Sequence, residues 1–323
     1  MKNSKSKKIF FVVVFLFLLF SLAAWATGAN IFFSVVLDRE SLFEKARTGR
    51  LFSGAPAQSV FEATDENSWF QKNKEDLFLK SDDDLWLHGC FFENPKADGK
   101  FILVFHGYSG RAYQMRGYVK ELFDMGYSVL APDARAHGKS EGSIRGMGWL
   151  ERKDALVWID FLINRDSDCR IGLFGVSMGG ATVMTTCGEE LPKNVVAAVE
   201  DCGYSSVWDE FAYRLKDYHL PAFPLLNLSS LITKHRAGYG FKEASCIEQL
   251  KKATLPMLFI HGTEDDFVPF DMLEKVYSAK ENGYKEKLVV QGAGHALSFS
   301  KDRKLYTKTV ELFFQNGFKQ NLT

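Results

Sequence analysis

The residues best suited to chemistry in this chain are a serine and the glycines on either side of it. Gly175-Val176-Ser177-Met178-Gly179 fits the pattern G-x-S-x-G, in which a serine stands on a sharp turn between a strand and a helix. Small residues two positions away on each side allow neighbouring backbone to approach that turn. Residues 170–175 read as a strand and residues 178–190 as a helix. The spacing therefore predicts that Ser177 is a nucleophile.

A serine hydroxyl is a weak nucleophile and needs a general base. Four of the seven histidines follow Ser177 in the chain: His219, His235, His261 and His295. His295 ends Gly292-Ala293-Gly294-His295, a loop of small residues after the last predicted strand, where an imidazole can reach over the sheet edge. The order serine, acid, histidine is typical of sites built on a strand-to-helix turn. The sequence therefore favours His295 as the base.

Three carboxylates stand between the serine and that histidine in one segment after a predicted strand. His261-Gly262-Thr263-Glu264-Asp265-Asp266-Phe267-Val268-Pro269 contains them. One of Glu264, Asp265 and Asp266 is expected to orient the imidazole and stabilise its charged form.

An oxyanion formed at this serine needs two backbone N–H groups aimed at it. Met178 directly follows the nucleophile and supplies one. His106-Gly107-Tyr108-Ser109-Gly110, an H-G-x-x-G turn after a predicted strand, is expected to supply the other from Tyr108. His106 is then a residue that organises the turn.

The elements that position these groups are short apolar strands that alternate with helices. Such alternation predicts a mostly parallel sheet with helices on both faces, here eight-stranded with an antiparallel hairpin at its start. The predicted strands are 76–80, 85–92, 101–105, 127–131, 170–175, 195–200, 255–260 and 287–290. The predicted helices are 113–125, 149–163, 178–190, 272–280 and 305–316, with a short one at 41–50 in an otherwise loop-like entry segment, 38–75.

A stretch of about 50 residues after the sixth strand has no strand pattern but many aromatic residues. A structureless loop of that size is rare in a compact domain. We expect a small helical insertion there, at about 205–250, and call it the cap.

The N-terminus differs in composition from the rest of the chain. Lys2, Lys5, Lys7 and Lys8 precede residues 9–37, which carry no charge. About 20 apolar residues cross a bilayer, so we predict a single-pass anchor at 1–37 with its basic end in the cytoplasm and 38–323 outside. The alternatives are a signal peptide cleaved near Ala24-Trp25-Ala26, which gives a secreted protein, and a buried helix.

Charge and cysteine content exclude other classes. The chain has 40 basic and 40 acidic residues, and the part after residue 37 has four more acids than bases, so nucleic acid is not an expected partner. The five cysteines are scattered without C-x-x-C spacing: Cys90, Cys169, Cys187, Cys202 and Cys246. They are predicted to be small buried residues rather than a zinc site or a disulfide framework.

Together with the loop Asp133-Ala134-Arg135-Ala136-His137-Gly138-Lys139-Ser140, these motifs resemble the α/β-hydrolase superfamily over about residues 75–317. Within it the chain resembles bacterial membrane-anchored or exported serine hydrolases related to serine aminopeptidases and prolyl-oligopeptidase-type domains. The α/β-hydrolase fold is thus expected, with one hydrolase domain at 38–323. The pattern H-G-x-x-D-x-x-V-P places the acid on Asp265, with Asp266 and Glu264 as weaker rivals and Asp201 as the position some relatives use. The 133–140 loop is implied to be structural, although Ala136 stands where relatives often carry glycine.

The resulting expectation is a serine hydrolase that cleaves carboxylic esters through an acyl-enzyme, with Ser177, Asp265 and His295 as triad and without metal or organic cofactor. The alternative within hydrolases is a peptidase or amidase, in which a cap acid holds the substrate amino group. Asp209, Glu210 and Asp217 are the candidates for that acid. The alternative of another class is a non-catalytic surface binding protein on the same fold. The expected partners are a small ester or peptide and the membrane, through residues 9–37, and the oligomeric state stays open.

Overall fold

The structure is a computed structural model that describes residues 2–39 and 64–319. The helix predicted at 41–50 lies outside the described residues.

Eight strands form one sheet, as the sequence predicts. They are β1 Glu75–Lys80, β2 Trp86–Phe92, β3 Lys100–Phe105, β4 Ser128–Pro132, β5 Arg170–Val176, β6 Val195–Asp201, β7 Met257–Gly262 and β8 Lys285–Val290. Their spatial order is β1-β2-β4-β3-β5-β6-β7-β8. β1 pairs with β2 and β2 with β4 in antiparallel fashion, whereas every other pair is parallel. The prediction of a mostly parallel sheet with an antiparallel hairpin at its start is confirmed.

The central strands are buried on both faces, which explains why they read as continuous apolar runs. Alternate residues of β3 face opposite sides: Leu103 belongs to one core cluster, and Ile102 and Val104 belong to the other. The first cluster takes in Trp158 from a helix on one face, and the second takes in Phe314 from a helix on the other. The predicted helices on both faces are therefore present.

The helices of the described residues are α1 Lys2–Val36, α2 Thr64–Asn73, α3 Arg116–Asp124, α4 Glu151–Arg165, α5 Met178–Thr186, α6 Val207–Asp217, α7 Leu225–Ala237, α8 Cys246–Leu250, α9 Asp271–Ala279, α10 Ser298–Lys301 and α11 Arg303–Phe318, with a 3-10 turn at Ala112–Met115 before α3. Outside the cap, most helix bounds differ from the sequence prediction by one to three residues; the larger differences are the unpredicted α2 and α10 and the end of α5. α2 lies in a segment read as loop, because its mean hydropathy is low and its stabilising contact is tertiary: Phe70 is buried against Phe92. α5 ends at Thr186, four residues earlier than predicted.

α6, α7 and α8 lie within the cap segment, after β6. Ser206 caps the start of α6 by accepting the backbone N–H of Asp209, and Ser245 does the same for Glu248 in α8. Phe211, Leu226 and Tyr239 are buried there. The aromatic residues of this segment thus form a helical layer with its own apolar interior, continuous with the core on one face of the sheet.

α1 combines an exposed apolar part with a part that is packed on the protein. Side chains from Phe10 to Leu22 are largely exposed, whereas Phe32, Phe33 and Val36 are buried. The ring of Phe32 contacts that of Phe211 in α6 at 5.4 Å, and the guanidinium of Arg236 in α7 lies 4.9 Å from the ring of Phe33. Among the described helices, Phe10–Val36 alone is long and apolar enough to cross a membrane.

Candidate active site

Ser177 lies at the junction of β5 and α5, in a strained backbone conformation. Its φ and ψ are 59° and −118°, a combination that a residue with a β-carbon adopts only when the surrounding structure enforces it. Its N–H donates to the carbonyl of Asp201 at 2.8 Å, which ties the turn to the end of β6.

The two glycines of the motif are required by close backbone approach. A β-carbon on Gly175 would stand 2.1 Å from the carbonyl oxygen of Gly179, and one on Gly179 would stand 2.1 Å from that of Phe105. Both distances are far shorter than any van der Waals contact. The spacing G-x-S-x-G therefore has a direct steric cause here.

Ser177, His295 and Asp265 lie together in the structure. In the chain, 118 residues separate Ser177 from His295, and 30 residues separate Asp265 from His295. The Nε2 atom of His295 lies 2.8 Å from the Ser177 hydroxyl oxygen, and its Nδ1 atom lies 2.8 Å from Oδ2 of Asp265. A carboxylate only accepts hydrogen bonds, so Nδ1 carries the proton and Nε2 is the acceptor for the serine O–H. This is the tautomer that a general base requires.

Asp265 is held as an anion by its neighbours. Burial alone would raise its pKa, but hydrogen bonds from His261 and His295 outweigh that effect and lower the pKa of Asp265 to about 2. Its other oxygen accepts the backbone N–H groups of Phe267 and Val268 at 3.0 and 2.9 Å. Both oxygens are therefore fixed, and the one nearest His295 has a set direction.

His261 is a contact of this acid that the sequence did not single out. Its Nε2 lies 2.9 Å from the carbonyl oxygen of Val268 and 3.3 Å from Oδ2 of Asp265. Burial would lower the pKa of His261, but the hydrogen bond to Asp265 and the charge of that carboxylate raise it. The H-G-x-x-D spacing could have indicated this contact. His261 stands four positions before Asp265, near the end of β7, the strand that the acid follows.

The rival residues lie elsewhere. Asp266 and Glu264 are exposed, and Asp201 accepts the Tyr306 hydroxyl at 2.9 Å instead of a histidine. His219 and His235 are exposed on the cap.

The turn after β3 adjoins the serine. A β-carbon on Gly107 would stand 3.4 Å from that of Ser177, so the following residue, Tyr108, has its backbone beside the nucleophile. Met178 is the first residue of α5, and such N–H groups have no partner inside their helix. Met178 directly follows Ser177, and Tyr108 directly follows Gly107; that their N–H groups hold an oxyanion stays a prediction.

His106 holds that turn as a neutral imidazole. Its Nδ1 lies 2.7 Å from the carbonyl oxygen of Gly107, and its Nε2 accepts the N–H of Ala134 at 2.9 Å. Both ring nitrogens are occupied in the neutral form. Burial lowers the pKa of His106, in agreement with this arrangement.

The loop at 133–140 braces the sheet edge by polar contacts. The Asp133 carboxylate accepts the N–H of Ala112 at 2.7 Å and that of Lys139 at 2.8 Å, and Arg135 pairs with Asp154 in α4 at 2.6 Å. Ala136 has a φ of 58°, the region that favours glycine. The departure from glycine noted in the sequence therefore falls on a strained residue.

The described residues contain two groups with metal-ligand types: Asp76, His88 and Cys90, and Cys202, Asp265 and His295. In the first, the ammonium groups of Lys74 and Lys139 lie 2.6 and 3.1 Å from Asp76 and already balance its charge. The second consists of residues that contact Ser177 or each other. All five cysteines are buried with free thiols, as predicted, and we assign no metal to either group.

The three cap acids have different surroundings. Asp209 accepts the Ser205 hydroxyl at 2.7 Å and Asp217 pairs with Arg214 at 2.8 Å. Glu210 is 2% exposed, and neither of its carboxyl oxygens has a hydrogen-bond partner. Burial raises the pKa of Glu210 well above its ordinary value, which favours the neutral acid.

Comparison with known proteins places these features in a family. Residues 96–217 match the family model described as serine aminopeptidase, S33. The uncharacterised protein YqkD of Bacillus subtilis is 32% identical over 67% of this chain and 71% of its own length. The lysophosphatidylserine lipase ABHD12 of Rattus norvegicus is 26% identical over 61% of this chain and 48% of its own length. The Pyrococcus furiosus esterase Pf2001 superposes with a TM-score of 0.63 at 24% identity, over 76% of this chain and 92% of its own.

Proposed function

Because the chain belongs to the serine aminopeptidase-type family of α/β-hydrolases, we propose that it is a serine hydrolase that cleaves carboxylic esters through an acyl-enzyme. The observation that carries the proposal is the position of His295, 2.8 Å from both the Ser177 hydroxyl and the Asp265 carboxylate. The preformed hydrogen bonds make the serine a nucleophile without a metal ion or an organic cofactor.

In the first half-reaction, the Ser177 oxygen attacks the ester carbonyl carbon while its proton passes to Nε2 of His295. The carbonyl π electrons move to oxygen, and the N–H groups of Tyr108 and Met178 stabilise the charge that develops there. When the tetrahedral intermediate collapses, the bond to the alkoxy group breaks and His295 returns the proton to that oxygen. The alcohol leaves, and the acyl group stays on Ser177.

Water completes the cycle by the same path. It gives a proton to His295, attacks the acyl carbon and expels the serine oxygen, which takes the proton back. Asp265 keeps Nδ1 protonated and stabilises the imidazolium in both halves. Since hydrogen bonds hold its pKa at about 2, it stays ionised throughout.

Ester substrates are favoured over peptides with a free amino terminus. A site for an ammonium group needs an ionised acid, but Glu210, the buried acid of the cap, has a raised pKa that favours its neutral form. The name of a lipase among the relatives supports the same choice, whereas the matching family model is described as serine aminopeptidase. A peptidase remains the second candidate, on the strength of the unpartnered carboxyl oxygens of Glu210.

The N-terminal helix is proposed to anchor this hydrolase at a membrane, with the domain outside. α1 continues without interruption through Ala26, and its last residues pack on the cap. A helix whose end belongs to the core of the domain is better suited to an uncleaved anchor than to a removable leader.

The test compares the full chain with Ser177→Ala in detergent, using fluorophosphonate labelling and p-nitrophenyl ester turnover. We expect labelling and turnover in the wild type, with a loss of about 1,000-fold or more in the variant. Aminoacyl-naphthylamides assayed in parallel separate the two hydrolase candidates, with Glu210→Gln as the variant that should affect only amine-bearing substrates. Unlabelled, folded wild-type protein would instead support a binding protein.

A further inference from the structure

A cavity of about 450 Å³ lies between α1 and the cap. Six of its lining residues come from α1, among them Trp25 and Gly28, and four come from the cap, among them Leu215 and Leu225. Apart from the Trp25 indole N–H and the Tyr218 hydroxyl, these side chains have no polar atom. A site of this size and character is suited to an apolar group.

The length of α1 places this cavity at the membrane surface. Phe10–Val36 has 27 residues, which span about 40 Å at about 1.5 Å per residue. The hydrocarbon core of a bilayer is about 30 Å thick. The last two turns therefore project beyond it, and these are the turns whose side chains, such as Phe32 and Phe33, are buried on the protein. The cavity spans the level at which α1 leaves the bilayer.

The cap exposes apolar side chains, one of them at the cavity. Leu220 is 46% exposed and lines the cavity. Elsewhere on the cap, Phe223 is 77% exposed and Leu231 is 67% exposed. Exposed apolar residues on an element that packs on a membrane-spanning helix are typical of a surface that enters the bilayer interface.

A series of side-chain contacts runs from the wall of the cavity to His295. Leu215 lines the cavity, and its neighbour Arg214 stacks on the ring of Phe267 at 4.3 Å. That ring lies 4.8 Å from the imidazole of His295. At the end of α1, the carbonyl of Val36 accepts the Tyr108 hydroxyl at 2.7 Å, so α1 also contacts the oxyanion turn.

We propose that this cavity receives a single acyl chain of a membrane lipid, whose ester is then cleaved at Ser177. The inference rests on the proposed esterase function and adds its substrate class: single-chain lipid esters taken directly from the bilayer. A volume of about 450 Å³ holds about fifteen groups of about 30 Å³, the volume of one water molecule. A methylene group is of similar size, so the volume matches one long chain.

The first test places a large side chain of α1 inside the cavity. A β-carbon on Gly28 meets only the Leu225 side chain, at an ordinary 3.8 Å. Gly28→Ala is therefore a matched control, and Gly28→Phe puts a ring where the chain would lie. We measure turnover of a long-chain monoacylglycerol in phosphatidylcholine vesicles and of soluble p-nitrophenyl acetate, both with the full chain.

The phenylalanine variant is expected to lose about tenfold or more on the long-chain ester while acetate turnover stays within about twofold, because only the long chain uses the cavity. The alanine variant should match the wild type on both. Equal losses on the two substrates, or an unchanged long-chain rate in Gly28→Phe, would overturn the inference.

A second measurement does not depend on turnover. The Ser177→Ala protein, in vesicles with a diazirine-bearing palmitoyl lysophospholipid, is photolysed and its cross-links are mapped by mass spectrometry. We expect cross-links on cap residues Leu215 and Leu225, which Gly28→Phe removes while those on the bilayer-facing part of α1 remain. If the cap carries no cross-links, the inference is refuted. If the cap is cross-linked but the wild-type protein shows no esterase activity, the lipid site is supported and the proposed function alone is refuted.

Discussion

Replacement of Asp265 by asparagine tests the catalytic geometry most directly. Asparagine keeps an oxygen for the N–H groups of Phe267 and Val268, which hold one side of the Asp265 carboxylate at 3.0 and 2.9 Å. Its NH₂ group then faces Nδ1 of His295, where Oδ2 now lies at 2.8 Å. Because a donor would meet a donor, the imidazole shifts its proton to Nε2 and can no longer accept the serine proton.

The size of the effect follows from that tautomer change. The same substitution in a serine protease triad lowers kcat by about 10⁴, which corresponds to about 5.4 kcal/mol in the activation barrier. We expect a decrease of about 10³ to 10⁴ in kcat for a p-nitrophenyl ester, with KM changed by less than about threefold. His261, which also contacts Oδ2 at 3.3 Å, would lose an anionic partner, so urea unfolding must show that the variant is folded.

Asp266→Asn is the matched control, since it makes the same chemical change one residue away on an exposed side chain. Its kcat should stay within about twofold of the wild type. If Asp265→Asn were folded and kept more than about a tenth of the activity, the assignment of the acid would be refuted. A large loss in Asp201→Asn instead would move the acid to the end of β6.

Two predictions concern the free energy of unfolding: one rests on the strained backbone of Ala136 and the other on the buried carboxyl group of Glu200. Ala136→Gly should raise the free energy of unfolding by about 0.5–1 kcal/mol in a urea titration, because Ala136 holds a φ of 58° and a left-handed conformation costs alanine about 1–2 kcal/mol; an unchanged or lower value would contradict the strain argument. Glu200 is fully buried, and desolvation raises its pKa to about 8. Its folded pKa lies above its unfolded one, so the wild type should lose stability as pH rises from about 4.5 to about 8. Glu200→Gln should flatten that decline by about 4 kcal/mol, as measured by unfolding at pH 5 and pH 8.5; parallel curves for the two proteins would refute the assignment.

Much of the fold could be predicted from periodicity because its strands are buried on both faces. Continuous apolar runs such as Phe101–Phe105, alternating with stretches of helical periodicity, are typical of a mostly parallel sheet covered by helices. The order of the strands was not readable from the sequence, since β4 lies between β2 and β3 through pairing that no local pattern specifies. α2 was missed because tertiary contacts distinguish it from a polar loop: Trp69 and Phe70 pack on Phe92.

The packing of α1 on the cap also could not be predicted from the sequence pattern. Composition indicates a membrane-spanning segment, but it treats Phe32 and Phe15 alike. In the structure Phe15 is 60% exposed and Phe32 is 9% exposed, because the cap covers one end of the helix and not the other. The cavity at this boundary exists only through that packing.

The sequence by itself determined the position of the strand-to-helix turn that carries Ser177, the proposed nucleophile. The reason is largely local: Gly175 and Gly179 lie within two residues of Ser177, and a β-carbon on Gly175 would stand 2.1 Å from the carbonyl oxygen of Gly179, inside the motif itself. The resemblance favoured Asp265 over Glu264 and Asp266, but only the tertiary structure decided which carboxylate faces the histidine. Neighbouring carboxylates share composition and spacing, and they differ in direction only once the backbone N–H groups of Phe267 and Val268 hold one of them under His295.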